Sequence, residues 1–106
     1  MLAIHQHEAA RRDLVQHFVY LAENADIAVA DRFLANAKTS FKQLAKRPLI
    51  GSPLQFQNPA LGGTRKWRVK GFDNYLIFYV PEPDSVHIIR VLHSSSDWWQ
   101  TLGVMP

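Results

Sequence analysis

The sequence predicts an α+β fold: one strand, an antiparallel hairpin of two helices, a three-stranded antiparallel meander and a short C-terminal helical turn. Three observations carry that prediction. Between Ala10 and Leu44 the apolar residues recur at spacings of three and four, the period of a helix face. Between Thr64 and His93 they change to alternation and to continuous runs, as strands do. Clusters of Gly, Pro, Asn, Asp and Ser divide the chain at the points where the period changes.

Taken in order, Leu2 to His5 is short and apolar and reads as a first strand. From about Glu8 the pattern becomes helical. Ala10, Leu14, Phe18 and Leu21 share one face with His17, and Glu8 suits the positive end of the helix dipole. The pattern fails at Glu23-Asn24-Ala25-Asp26, where Asn24 or Asp26 can cap a second helix. There Ile27, Ala30, Leu34, Ala37, Phe41 and Leu44 form the apolar face, with Phe33 beside them. Lys46-Arg47 favours the negative end of the dipole, and Pro48 and Gly51 stop the helix. So short a break implies helices packed antiparallel. The alanines permit close approach, and each large apolar residue buried contributes roughly 1.5–3 kcal/mol before chain entropy is subtracted.

Pro48 to Gly63 reads as a loop, long for a compact domain. The run Thr64 to Lys70 then alternates: Arg65, Trp67 and Val69 in one row, Lys66, Arg68 and Lys70 in the other. Gly71 to Asn74 is a turn, and Tyr75 to Val80, apolar almost throughout, is a central strand buried on both faces. Pro81 to Asp84 breaks it before a last strand from Ser85 to Leu92. Ser94 to Asp97 is a cap for one helical turn at Trp98 to Leu102, ahead of Gly103 and Pro106. Of two adjacent tryptophans at a chain end, at least one packs back on the body, and an exposed pair marks a contact surface.

Composition narrows the function. The chain, residues 1–106, is expected to be a single domain, and 47% hydrophobic with 20% charged residues is ordinary for a globular fold. The absence of cysteine removes disulfides, thiolate metal sites and a cysteine nucleophile together. No apolar run approaches the roughly 20 residues of a membrane helix, and Met1 to Glu8 lacks signal-peptide order, so a cytoplasmic location and no membrane partner are expected. His5, His7 and His17 come with no acidic or cysteine ligand set, so no metal is expected. A Gly-rich phosphate cradle and a nucleophilic triad are both missing, and no cofactor is expected. Arg90, among apolar neighbours, needs a carboxylate or loop carbonyls, because an unpaired buried charge is costly. Lys66, Arg68 and Lys70 form either a solvated sheet face or a footprint for nucleic acid or an acidic partner.

Several residues then match a family pattern in order. They are Ala9-Ala10-Arg11-Arg12-Asp13-Leu14 with Tyr20-Leu21-Ala22, then Ala30 with Phe33, then Leu44-Ala45-Lys46-Arg47-Pro48 leading to Gly51. Arg65, Tyr75-Leu76-Ile77-Phe78-Tyr79 and Val86 to His93 complete the set. The chain resembles the RelE/ParE superfamily of bacterial type II toxins, and within it the ParE-like, plasmid-stabilisation branch. The resemblance covers nearly the whole chain. It implies a toxin neutralised by a cognate antitoxin, and a RelE/ParE-like fold. It implies one of two targets: DNA gyrase for ParE-like members, or ribosome-bound mRNA for RelE-like nucleases.

The nuclease chemistry requires a group to exchange a proton and cations to stabilise charge on phosphate. His93 with Arg65 and Arg90 are the candidate catalytic residues, with Arg68 a further cation. RelE-like nucleases resemble one another in a C-terminal tyrosine, or a histidine beside an aromatic. Here Ser94-Ser95-Ser96-Asp97 follows His93, and no tyrosine comes after Tyr79. The expected function is therefore a non-enzymatic gyrase inhibitor bound by its antitoxin. The alternatives are the mRNA endonuclease, or an inactive member that only binds its antitoxin. The target-binding residues in either case are Arg65, Lys66, Arg68, Lys70, Arg90, His93, Trp98 and Trp99. They are expected on a cationic sheet whose face away from the helices is open to another macromolecule.

Overall fold

The structure, a computed structural model, describes residues 1–54 and 62–102. Part of the loop expected at Pro48–Gly63, together with Gly103 and Pro106, lies outside these residues. In chain order the elements are β1 (Ala3–Gln6), α1 (Glu8–Asn24), α2 (Ile27–Lys46), β2 (Ser52–Pro53), β3 (Arg65–Val69), β4 (Phe72–Pro81), β5 (Ser85–His93) and α3 (Trp98–Leu102). The α+β architecture is the expected one. The meander is extended at both sides into one sheet of order β1-β5-β4-β3-β2. β1 runs parallel to β5, and every other neighbouring pair is antiparallel.

The helical hairpin covers one face of this sheet. Asp26 caps α2, its Oδ1 accepting the Val29 N–H at 2.9 Å. From α2, Phe33, Ala37, Phe41 and Leu44 meet Val69, Tyr75, Ile77, Tyr79, Ile88 and Val91 of the sheet. α1 adds Ala10 and Leu14 to that core, while Phe18 is half-buried. Ile27 departs from expectation. It follows the cap directly, is 58% exposed, and the buried face of α2 begins at Ala30. Asp13 is the converse case, a carboxylate 4% exposed on the buried face of α1.

Three details of the sheet differ from the reading of the sequence. The turn between β3 and β4 is Lys70-Gly71, not Gly71 to Asn74, with Gly71 at φ +74° where a side chain is strained. Lys70 therefore leaves the alternating row of β3 and sits in the turn. β4 begins at Phe72 because that ring packs edge-on to Phe33 at 5.3 Å, so packing overrides the turn preference of Asp73 and Asn74. Register shifts mark irregularities at Arg68/Val69 and at Phe78/Tyr79. Finally, the face away from the helices is partly covered. Trp98 of α3 lies on Phe78 at 5.3 Å, and Phe78 is fully buried. No helix among the described residues is long and apolar enough to cross a membrane.

Candidate functional site

Arg90 projects from β5 to α1. Its Nε donates to Asp13 Oδ2 at 2.7 Å and its Nη2 to Oδ1 at 2.9 Å. The Val91 N–H also donates to Oδ2, at 2.9 Å. The hydrogen bond to Asp13 raises the Arg90 pKa above its ordinary value. This two-pronged pair ties a helix to the sheet and satisfies a nearly buried carboxylate.

Arg65 performs a similar service at the other end of the sheet. Its Nη1 donates to Gly51 O at 2.7 Å, with a longer bond to Leu49 O at 3.4 Å. Tyr79, fully buried, completes the clasp. Its hydroxyl donates to Pro48 O at 2.8 Å and accepts the Gly51 N–H at 2.9 Å. Burial raises the Tyr79 pKa, so the donor form is kept. Position 51 requires glycine, because a Cβ there would lie 2.5 Å from Tyr79 Oη and 2.7 Å from Lys66 O.

His93 ends β5 beside a hollow of about 390 Å³ lined with Gln16, His17, Tyr20, Tyr75 and Ser95. Its Nδ1 accepts the Ser95 backbone N–H at 3.0 Å and lies 2.7 Å from Ser95 Oγ. In the neutral ring the proton therefore sits on Nε2. Tyr75 stands between His93 and His17, edge-on to both at 4.9 Å. His17 Nε2 donates to Val91 O at 2.7 Å, and burial lowers its pKa.

These placements separate the three candidate catalytic residues. Arg65 pairs with Tyr79 and His93 with Tyr75, so they lie four residues apart along β4. That is about 13 Å of strand. Arg90 is occupied by Asp13.

The remaining candidates group differently. Lys66 Nζ sits over the Trp98 ring at 5.1 Å, on the open face of the sheet. Trp99 meets Trp98 edge-on at 5.6 Å. Arg68 stacks over Trp67 at 4.9 Å and reaches Asp73 Oδ1 at 3.5 Å. Lys70 is held through its backbone: its N–H donates to Ser40 Oγ at 2.9 Å, and its carbonyl accepts from Asn36 Nδ2 at 3.0 Å. The sheet thus carries a Lys66–Trp98–Phe78 stack on the face away from the helices and an Arg68–Trp67 pair whose indole reaches α2.

One cluster escaped sequence reasoning. His7 Nε2 is 3.0 Å from His87 Nδ1, and His5 stacks on His87 at 5.0 Å. The parallel pairing of β1 with β5, which sets His5 opposite His87, brings them together. Among the described residues no group of three or more His, Cys, Asp or Glu is placed to hold a metal ion.

A family model described as the ParE toxin of type II toxin-antitoxin system, parDE, matches residues 4–98. No curated protein sequence matches the chain. Among solved structures, a chain titled "Chromosomal ParDE TA system from P. aeruginosa" is similar with a TM-score of 0.70 and 14% identity, covering 88% of this chain and 96% of that one. A chain of the RelBE2 toxin-antitoxin complex from Mycobacterium tuberculosis is similar with a TM-score of 0.58 and 24% identity, covering 87% of this chain and 96% of that one. At these identities the likeness is one of fold.

Proposed function

This chain belongs to the ParE toxin family of type II toxin-antitoxin systems, and from that premise we propose that it inhibits DNA gyrase and is neutralised by a cognate antitoxin. The observation that carries the gyrase reading is the dispersal of the nuclease candidates. Cleavage of RNA needs a proton-exchanging group and cations around one phosphate. Here Arg90 is committed to Asp13, Arg65 clasps the segment after α2, and His93, at the end of β5, pairs with Tyr75, four residues along β4 from the partner of Arg65. What faces outward instead is a surface of exposed Arg68 and Lys70 with half-buried Lys66, Trp98 and Trp99, suited to binding a macromolecule.

An antitoxin partner is supported by the family and by the two structural neighbours, whose titles are those of toxin-antitoxin assemblies. The direct test is a supercoiling assay with purified gyrase, plasmid DNA and this protein. We expect supercoiling to fall, or cleaved DNA to accumulate, and the effect to vanish when antitoxin is added. Unchanged supercoiling at high excess overturns the gyrase reading.

One observation favours a second reading. The hollow beside His93 gathers His17, Tyr20 and Tyr75, groups able to exchange protons or stack on a base. If the protein is a ribosome-dependent endonuclease, primer extension on mRNA from induced cells shows new 5′ ends that disappear with His93→Ala.

A further inference from the structure

Charge is distributed very unevenly along this chain. Residues 32–72 hold nine of its twelve Lys and Arg and none of its nine Asp and Glu. Folding gathers four of those cations around a groove of about 710 Å³ between α2 and the β3–β4 turn. Lys42 and Lys46 form one wall. They are four residues apart on α2, so about 6 Å apart along its axis. Arg68 and Lys70 form the opposite wall, and all four side chains are exposed. The one acid lining the groove, Asp73, meets Arg68 in an exposed pair, which is worth little.

We propose that this groove binds the phosphate backbone of duplex DNA. Two rows of cations facing each other across a trough match a ridge of phosphates entering between them. The floor argues for a duplex over a single strand. Single strands are held by stacking bases on exposed aromatic faces. Trp67, at the floor, is half-buried and already engaged: Arg68 stacks over it at 4.9 Å, its indole N–H donates to Gln43 Oε1 at 3.3 Å, and it packs against the core. Contact through phosphates alone gives binding that is independent of sequence and sensitive to salt. A toxin acting on a DNA enzyme then carries its own hold on the enzyme's substrate. The inference does not depend on the gyrase reading, because the groove binds DNA with no enzyme present.

The test is fluorescence anisotropy of a short labelled DNA duplex with the purified protein, free of antitoxin, across a salt series. Four phosphate contacts give a slope of log affinity against log salt of about −3 to −4. Lys42→Gln/Lys46→Gln removes two of them. It is expected to weaken binding at least about tenfold and to reduce the slope by about 2. Arg68→Gln/Lys70→Gln reads the other wall independently and is expected to do the same. Arg11→Gln/Arg12→Gln removes equal charge from exposed positions on α1, outside this groove, and is expected to retain both affinity and slope. Melting curves of each variant confirm that it is folded. Three results overturn the proposal: no salt-dependent duplex binding, equal loss from the α1 variant, or displacement of the duplex by polyglutamate more readily than by unlabelled duplex. The last would assign the groove to an acidic protein segment. Gyrase is absent from this assay, so its failure and a failure in the supercoiling assay are separate events.

Discussion

Asp13 on α1 and Arg90 on β5 are joined by two parallel N–H···O bonds, 2.7 and 2.9 Å long, and the same carboxylate accepts the Val91 N–H. The two partners are unequally exposed. The Asp13 side chain is 6% exposed and that of Arg90 28%. Losing the arginine therefore leaves a carboxylate that water scarcely reaches. Arg90→Met is expected to destabilise the fold by about 3 kcal/mol, toward the low end for broken buried pairs because the arginine is partly solvated. Asp13→Asn is expected to cost less, since Arg90 can turn to water. Urea denaturation of both single variants and the double variant measures the coupling.

The clasp made by Tyr79 yields a second prediction. Tyr79→Phe strands the Gly51 N–H and the Pro48 carbonyl, at a cost of about 1–3 kcal/mol. Gly51→Ala forces a methyl against Tyr79 Oη and the Lys66 backbone, and overpacking of that kind costs about 1–3 kcal/mol. Because both changes act on one contact, their effects are expected to be less than additive in thermal or urea melts.

Phe41, 3% exposed within the α2–sheet core, tests the packing directly. Phe41→Ala is expected to destabilise by about 3–5 kcal/mol. Ile27→Ala, at an apolar residue of the same helix that is 58% exposed, is expected to stay within about 0.5 kcal/mol. Urea midpoints at constant m-value separate the two.

His17 sets an expectation for pH. Burial lowers its pKa from 6.5, so the folded chain holds this proton less readily than the unfolded chain. Stability therefore rises with pH wherever the unfolded state binds more protons. As pH falls from about 6.5 through the lowered folded value, stability is lost; below that value the loss is complete and no longer grows. His17→Gln is expected to flatten this slope while keeping a donor to the Val91 carbonyl. Urea midpoints for both proteins across this window decide it.

Much of the fold was legible in the sequence because periodicity is a local signal. The spacing from Ala30 to Leu44 and the run from Tyr75 to Val80 each state which face is buried. What was not legible is what depends on pairs distant in sequence. Asp13 occupies a slot of the helical period that looks like a surface charge until Arg90, 77 residues later, is brought to it. His7 and His87 are 80 residues apart and meet through the parallel strand pair. Ser52–Pro53 is too short to show any alternation, so its pairing with Arg65 and Lys66 left no trace in the pattern. The candidate site divided in the same way. The cations of β3 and its turn were visible as a row, but their facing partners were not: Lys46 registered only as a charge favourable to the helix dipole, and Lys42 gave no signal.

The parallel pairing of Ala3–Gln6 with Ser85–Ile88 has a consequence for synthesis. β1 is synthesised before β5, and it has no seat in the sheet until β5 has followed. A nascent chain stalled or cut before β5 leaves that edge unformed and the helices without part of their floor. The sheet thus closes only after β5 has been made, and the order of synthesis itself sets when the helices gain their full support.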